Sequence, residues 1–329
     1  MWAFYGWIAL SFVLGLAGTW LFWWFSHKTG FFLDGTNGRK VHDGKIPRGA
    51  GVIFFLPFFI WALFDHNGYR TLIIPGTILL AVGVLDDLVG MKAWIKLILQ
   101  TIIAVITYFI GFKITALSLG VFSIPLVWPV ALLFTVFFIV GMMNAVNFVD
   151  GLDGLAGSLA IVAFVVLAYI GQAAGLDLVR WGALMMAAAL AGFLFLNSPP
   201  AKVFMGDMGS HFIGYLLALM CIQVLRVDTG FLVIPAILVV VFPVMDTFFA
   251  IIRRLRHRRH IFGADMNHLH HRVLARTGSI YKTVFIMLGV GIVSGILAVV
   301  TGFWPWLSLP VGTAVFLLMM TWGVLVKAI

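Results

Sequence analysis

Long apolar runs recur from one end of this chain to the other, and they restrict its solvent to lipid. They fall at about 2–25, 49–64, 71–85, 94–111, 125–143, 154–172, 180–196, 209–225, 231–252, 283–302 and 305–326. A helix needs about 20 apolar residues to cross the hydrocarbon core of a bilayer. The second and third runs are shorter, and the polar Asp65-His66-Asn67-Gly68 between them predicts a tight hairpin that keeps both as spans. Of the 329 residues, 63% are hydrophobic and 10% charged, against about 25% charged in a soluble domain. The fold class expected is all-α integral membrane, with about eleven transmembrane helices in a single polytopic domain over 1–329. The run at 2–25 has no Lys or Arg and is too long for a signal-peptide core, so it reads as a retained span. Cys221 stands alone inside an apolar run, which excludes an internal disulfide and reads as packing.

An odd number of spans puts the termini on opposite sides. With the N-terminus outside, the loops near 26–48, 86–93, 144–153, 197–208 and 253–282 and the C-terminal tail face the cytoplasm. With the helix-end residue Lys96, these segments hold 17 of the 21 Lys and Arg, and only Arg70, Lys113, Arg180 and Arg226 fall on the other side. That asymmetry matches the positive-inside rule. It also places the net charge of +9 at membrane loops, which argues against a nucleic-acid partner. All twelve acidic residues are aspartates, and nine gather on the same face. Acidic residues contribute little to orientation, so a functional site is the natural explanation.

Four constellations carry that site. Asp86-Asp87 closes the third run. Adjacent carboxylates beside hydrocarbon repel each other and lose hydration, so either a bound cation or simple counter-charges from Lys92 and Lys96 would accompany them. In NAVNFVDGLDGLAG, Asn144, Asn147, Asp150 and Asp153 recur every three residues. Each step drifts about 60° on a helix, and Gly151 and Gly154 are placed to break the helix so that oxygen ligands can converge on a hard cation. In SPPAKVFMGDMGSHFIG, Asp207 lies between Gly206 and Gly209 before an apolar helix. There Ser210 and free amides could hold a phosphate, or Asp207 could be only an N-cap. The loop 253–282 holds eight Lys or Arg with His257, His260, His268, His270 and His271. Helical spacing puts His268 and His271 on one face and His270 roughly 200° away, a poor zinc geometry and a better phosphate site. The plain alternative is a basic loop drawn to anionic lipid. Asp246 reads as a partner of Arg253 or Arg254, and His211 as either a site residue or packing.

Together these motifs closely resemble the polyprenyl-phosphate N-acetylhexosamine-1-phosphate transferases, the WecA- and MraY-like enzymes. The resemblance runs from about Asn37 to Leu274 through NGRKVHDGKIPRGAG, LDD, NxxNxxDGxDGL, FMGDxGS and HxHH, in that order. It implies a magnesium-dependent catalytic domain, with manganese as a substitute ion. The reaction implied joins N-acetylhexosamine 1-phosphate from a UDP-sugar to undecaprenyl phosphate in the inner membrane and releases UMP. By motif, Asp207 and Asn147 would ligate the metal, Asp86 and Asp87 would act near the lipid phosphate, and Asp150 and Asp153 would shape the nucleotide-sugar pocket. His268, His270 and His271 would bind sugar or phosphate, and Asn144, Gly206, Ser210 and Lys92 complete the expected substrate-binding set. A homodimer is also implied, with no interface readable.

HLHH resembles the branch using UDP-GlcNAc-type donors, whereas the branch using UDP-MurNAc-pentapeptide carries a longer His run. Ala50 and His211 depart from the usual residues at their positions and leave sugar choice open. The pathway fed, whether lipopolysaccharide, teichoic acid or another cell-wall glycan, is not readable. A cation-coupled transporter or flippase is the rival from another class. It would place ionisable groups near mid-membrane, and the spans here are almost free of them.

Overall fold

A computed structural model describes residues 2–33, 46–64, 69–119, 122–224, 226–227, 230–256 and 268–326. The hairpin expected at Asp65-His66-Asn67-Gly68, residues 34–45 of the first loop, and 257–267 with His257, His260 and Asp265 lie outside the described residues.

Each of the eleven apolar runs carries helix. In order the described helices are α1 (Trp2–Thr29), α2 (Val52–Phe64), α3 (Ile73–Val89), α4 (Ala93–Phe109), α5 (Trp128–Val149), α6 (Leu155–Ala173), α7 (Asp177–Asn197), α8 (Gly206–Val224), α9 (Val233–Val239) and α10 (Val241–Arg256) in the ninth run, α11 (Leu269–Thr277) outside the runs in the last large loop, α12 (Ile280–Phe303) and α13 (Ser308–Leu325). Among the described residues, eight helices are long and apolar enough to cross a membrane, or nine if α9 and α10 form one span. The chain is therefore a multi-pass helical membrane protein. Helix α2 has 13 residues with Pro57 inside it, and α4 has 17, so both fall short of the usual length.

The single helix expected at 231–252 is instead broken, with α9 and α10 meeting at 93°. At the break Val240 leaves helical geometry and its N–H donates to Ile237 O at 3.2 Å, a tighter turn than an α-helix makes. Pro243 follows and has no N–H to continue the ladder, which is tolerated in a first helical turn.

Helix α8 runs through the centre, with nearly every residue buried. Its polar groups are satisfied inside the bundle: Thr107 Oγ1 and Tyr215 Oη lie 2.8 Å apart. Asp86, Lys96, Asn147, Asn197 and Asp207 come to one end of the bundle, at the ends or starts of α3, α4, α5, α7 and α8. The opposite end carries a small sheet that the all-α expectation did not include. Its strands β1 (Ala116–Ser118), β2 (Ser123–Pro125), β3 (Arg226–Val227) and β4 (Gly230–Leu232) lie in the order β2-β1-β4-β3, with β1 parallel to β4. Phe4 of α1 stacks on Trp181 at the start of α7, ring centroids 4.6 Å apart. At the other end of the chain, Arg276 donates to the carbonyl of Leu325. Phe137, Phe285 and Leu318 point outward, as expected where lipid is the solvent.

Helices α1 and α7 cross through glycine. A Cβ on Gly15 would meet Ala189 O at 2.1 Å, and one on Gly192 would meet Phe12 O at 2.4 Å. Small residues let membrane helices approach closely and gain dispersion contacts. Gly192→Leu is expected to cost about 1–3 kcal/mol through overpacking, read as a lower melting temperature in detergent. Gly6→Leu, in open space on α1, is the control, and equal losses from both would refute the packing argument.

Candidate active site

Helix α3 ends at Gly90, whose N–H donates to Asp86 O at 2.8 Å, so Asp86 and Asp87 lie in the last turn. Asp87 reaches across to the start of α8. Its Oδ1 accepts from Asp207 N at 3.0 Å and its Oδ2 from Met208 N at 3.2 Å. The carboxylate thus satisfies two of the free amides of α8 and lies at the positive end of its dipole. Gly206 makes this approach achievable. Its φ is +76°, and a Cβ there would lie 2.5 Å from Asp87 Oδ2. These two amides, offered to a phosphate in the sequence reading, are engaged by Asp87.

Asp207 projects from the first turn of α8 into a set of cations. Lys96 Nζ lies 2.7 Å from Asp207 Oδ2 and 2.5 Å from Asp86 Oδ2, bridging two carboxylates. Asp86 also accepts from Met91 N at 2.7 Å. Arg48 donates to Asp207 Oδ1, and its Nε lies 3.4 Å from Asp87 Oδ1. Backbone pairing aims Arg48 there: Arg48 N donates to Phe32 O at 2.8 Å and Phe204 N to Pro47 O at 2.8 Å, tying the segment to the loop before α8. Burial disfavours the Arg48 charge, but Asp207, Asp87 and Asp150 outweigh it and hold the guanidinium above its ordinary range. Beside these charges is a cavity of about 350 Å³, its other walls including Phe32, Leu33 and Leu88.

Asn147 joins this group from α5, its Nδ2 donating to Ser210 Oγ at 2.9 Å and to Asp207 Oδ1 at 3.3 Å. Ser210 is fully buried and donates back to Gly206 O, inside the helix. Asp150 caps the end of α5, where the expected glycine break occurs. Burial, reinforced by Asp207, Asp87 and Asp153 and opposed by Arg48, pushes its carboxyl up to about 7. The other members of the four-residue pattern diverge. Asp153 Oδ2 accepts from Ala201 N at 2.9 Å, stapling two loops, and Asn144 Nδ2 donates to Gln100 Oε1 at 2.7 Å within the bundle. Lys92 is exposed at the N-cap of α4. His211 is buried one turn into α8.

The histidines form a second group. His268 precedes α11 with φ −58° and ψ 154°, so helical spacing does not govern it. The pairing expected of His268 with His271 is thus replaced by His268 with His270, whose rings are parallel at 5.6 Å. His268 Nδ1 lies 3.1 Å and His270 Nδ1 3.4 Å from Asp246 Oδ2. His271 packs beside His270, ring centroids 4.3 Å apart. The end of α5 joins the two groups: Phe148, next to Asn147, packs on His268 at 5.3 Å, and Gly151 lies against His270.

Among the described residues no group of three His, Cys, Asp or Glu is gathered tightly enough to hold a metal. The donor chemistry nevertheless fits a hard divalent ion. Carboxylates from α3 and α8 and an amide from α5 are oxygen donors, and the Lys96 ammonium already bridges two of the carboxylates. Asp207, and Asn147 with its amide oxygen turned toward Asp207 in place of the Nδ2 that now donates there, would be the residues to hold such an ion.

The structure is that of a polytopic helical membrane protein with a mixed carboxylate and cation site at one end of the bundle. The family profile described as Glycosyl transferase family 4 matches residues 69–225. A probable undecaprenyl-phosphate N-acetylglucosaminyl 1-phosphate transferase of Bacillus subtilis (strain 168) is 32% identical over 82% of this chain and 76% of its own length. An undecaprenyl-phosphate alpha-N-acetylglucosaminyl 1-phosphate transferase of Thermotoga maritima is 31% identical over 83% and 82%. A decaprenyl-phosphate N-acetylglucosaminephosphotransferase of Mycobacterium tuberculosis (strain CDC 1551 / Oshkosh) is 31% identical over 78% and 72%. The chain belongs to this family of WecA- and MraY-like enzymes and is a phosphoglycosyl transferase.

Sequence reasoning did not single out Arg48, and read Lys96 only as a counter-charge. Lys96 had a usable signal: it is a lone charge within the apolar stretch AWIKLILQ, and ionisable residues in such stretches mark function. Arg48 had no such signal, being one of several basic residues in its loop.

The raised Asp150 carboxyl makes a thermodynamic prediction. Folded, it ionises near 7; unfolded, it ionises near the ordinary value of about 3.9. The folded state holds the extra proton between these values, so this group's contribution to stability falls as pH rises through that window. With EDTA present, Asp150→Asn is expected to raise the melting temperature relative to wild type more at pH 8 than at pH 4. A pH-independent difference would contradict it.

Proposed function

We propose that this enzyme transfers N-acetylglucosamine 1-phosphate from UDP-GlcNAc to undecaprenyl phosphate with magnesium, releasing UMP and starting a cell-envelope glycan. The observation that carries the reading is the meeting of Asp86, Asp87 and Asp207 with Arg48 and Lys96 beside a cavity at one end of an apolar bundle. Such a position suits one water-soluble and one lipid substrate. The names of the relatives support the acceptor and GlcNAc as the sugar, and favour it over UDP-MurNAc-pentapeptide.

In the proposed step a lipid phosphate oxygen bonds to the sugar-bearing β-phosphorus of the donor. The bond from that phosphorus to the bridging oxygen breaks, and the electron pair leaves with UMP. The lipid phosphate is anionic at neutral pH, so direct attack needs no base, and we favour it over an aspartyl intermediate. Arg48 and Lys96 are placed to neutralise phosphate charge as it develops on the bridging and terminal oxygens. Asp87 holds the start of α8, and hence Asp207, in register. Magnesium, when bound at Asp207 and Asn147, would supply further charge neutralisation to the diphosphate.

The proposed topology is eleven passes in the plasma membrane, N-terminus outside, with the site on the cytoplasmic face. It is supported by the Lys and Arg asymmetry and by α4, which runs from the site end to the sheet end despite its length. The transporter reading gains no support from side chains gathered at one end.

Purified enzyme given UDP-GlcNAc, undecaprenyl phosphate and magnesium is expected to release UMP, and EDTA to stop it. Asp207→Ala and Arg48→Ala should each lower kcat by roughly 10²–10³-fold. UMP release at the wild-type rate by Asp207→Ala would refute the assignment. Turnover of UDP-MurNAc-pentapeptide in preference to UDP-GlcNAc would refute the donor.

A further inference from the structure

One buried carboxylate takes no part in the step above. Asp246 lies in α10, two residues past the first turn that follows the bend, and is 1% exposed. A buried charge of this kind is costly unless several donors face it. Its Oδ1 accepts from Leu269 N at 2.6 Å, and Leu269 is the first residue of α11. Its Oδ2 accepts from His268 Nδ1 at 3.1 Å and lies 3.4 Å from His270 Nδ1. One carboxylate therefore holds the start of a helix and two imidazole rings.

Three consequences follow from that geometry. A hydrogen on His268 Nδ1 directed at the carboxylate leaves Nε2 as the ring's outward atom, which sets its tautomer. The His270 ring, fully buried, is pressed between Asp246 and the α5–α6 turn, where a Cβ on Gly151 would lie 2.4 Å from its Nε2. The same rings rest on Phe148 and Gly151, either side of Asp150 and next to Asn147. Both Nδ1 atoms converge on one carboxylate oxygen, Asp246 Oδ2.

We propose that Asp246 is a positioning residue for the donor: it orients His268, with the buried His270 ring as a buttress, so that His268 Nε2 meets the sugar-phosphate half of the nucleotide sugar. The inference rests on the transfer reading above and assigns to it a residue outside the five motifs. Asp246 itself touches no substrate. Its effect passes through the rings, as with the outer partners that orient metal-bound histidines and whose loss typically costs about 10–100-fold.

The experiment is a double-mutant cycle on the full-length enzyme with UDP-GlcNAc, undecaprenyl phosphate and magnesium. Wild-type UMP release tests the transfer reading first, so a failure there is distinct from a failure here. Asp246→Asn is expected to lower kcat/KM by roughly 10–100-fold, chiefly through a higher KM for UDP-GlcNAc, with the KM for undecaprenyl phosphate unchanged. Adding Asp246→Asn to His268→Ala should cost less than about twofold more, because residues acting as one unit are non-additive. Multiplying losses, or equal changes in both KM values, would reduce Asp246 to a packing role and overturn the proposal. Should Asp246→Asn not fold, His268→Ala and His270→Ala carry the test. Their losses must be non-additive, since both rings bear on one carboxylate, and independent losses overturn it equally.

Discussion

Charge neutralisation at the start of α8 is the constraint on which the rest of the site depends. Asp86, Asp87 and Asp207 come from two helices and meet at the edge of hydrocarbon, where each would be costly alone. The structure answers with the two amides of Asp207 and Met208, the guanidinium of Arg48 and the ammonium of Lys96. None of these donors is adjacent in sequence to Asp87. They are brought there by α3, α4, α8 and the segment before α2 packing together, so the ionic contacts depend on the apolar packing.

That arrangement suits the proposed work of a membrane enzyme on a soluble and a lipid substrate in one place. The cationic heads, the carboxylates and the cavity lie together, while Leu85, Leu88 and Val89 on the same turn of α3 are exposed and apolar. The boundary between polar and apolar surface is thus one helical turn wide. The end of α5 extends the site sideways, carrying Asn147 toward Asp207 and Phe148 toward the histidines.

The motifs were legible because their chemistry is dense: paired aspartates closing an apolar run, or Asp207 between glycines, have few uses in lipid. Resolution within a motif was poorer. Asn144, Asn147, Asp150 and Asp153 share one spacing, yet α5 ends at Val149 and sends them to different places. Asn144 faces Gln100, Asn147 faces Asp207, and Asp153 staples a neighbouring loop. Likewise, helical spacing mispaired the histidines because α11 begins one residue after His268.

The sequence by itself determined the solvent, the helices along the chain and the side chains that gather at one end. Hydrophobic periods and turn residues act locally, so a single chain read in order carries them. Only the tertiary structure decided which cation meets which carboxylate, that the ninth apolar run bends by 93°, and that Asp246 faces two imidazoles. Those outcomes depend on distances between segments up to 159 residues apart, such as Arg48 and Asp207, and no local spacing encodes them.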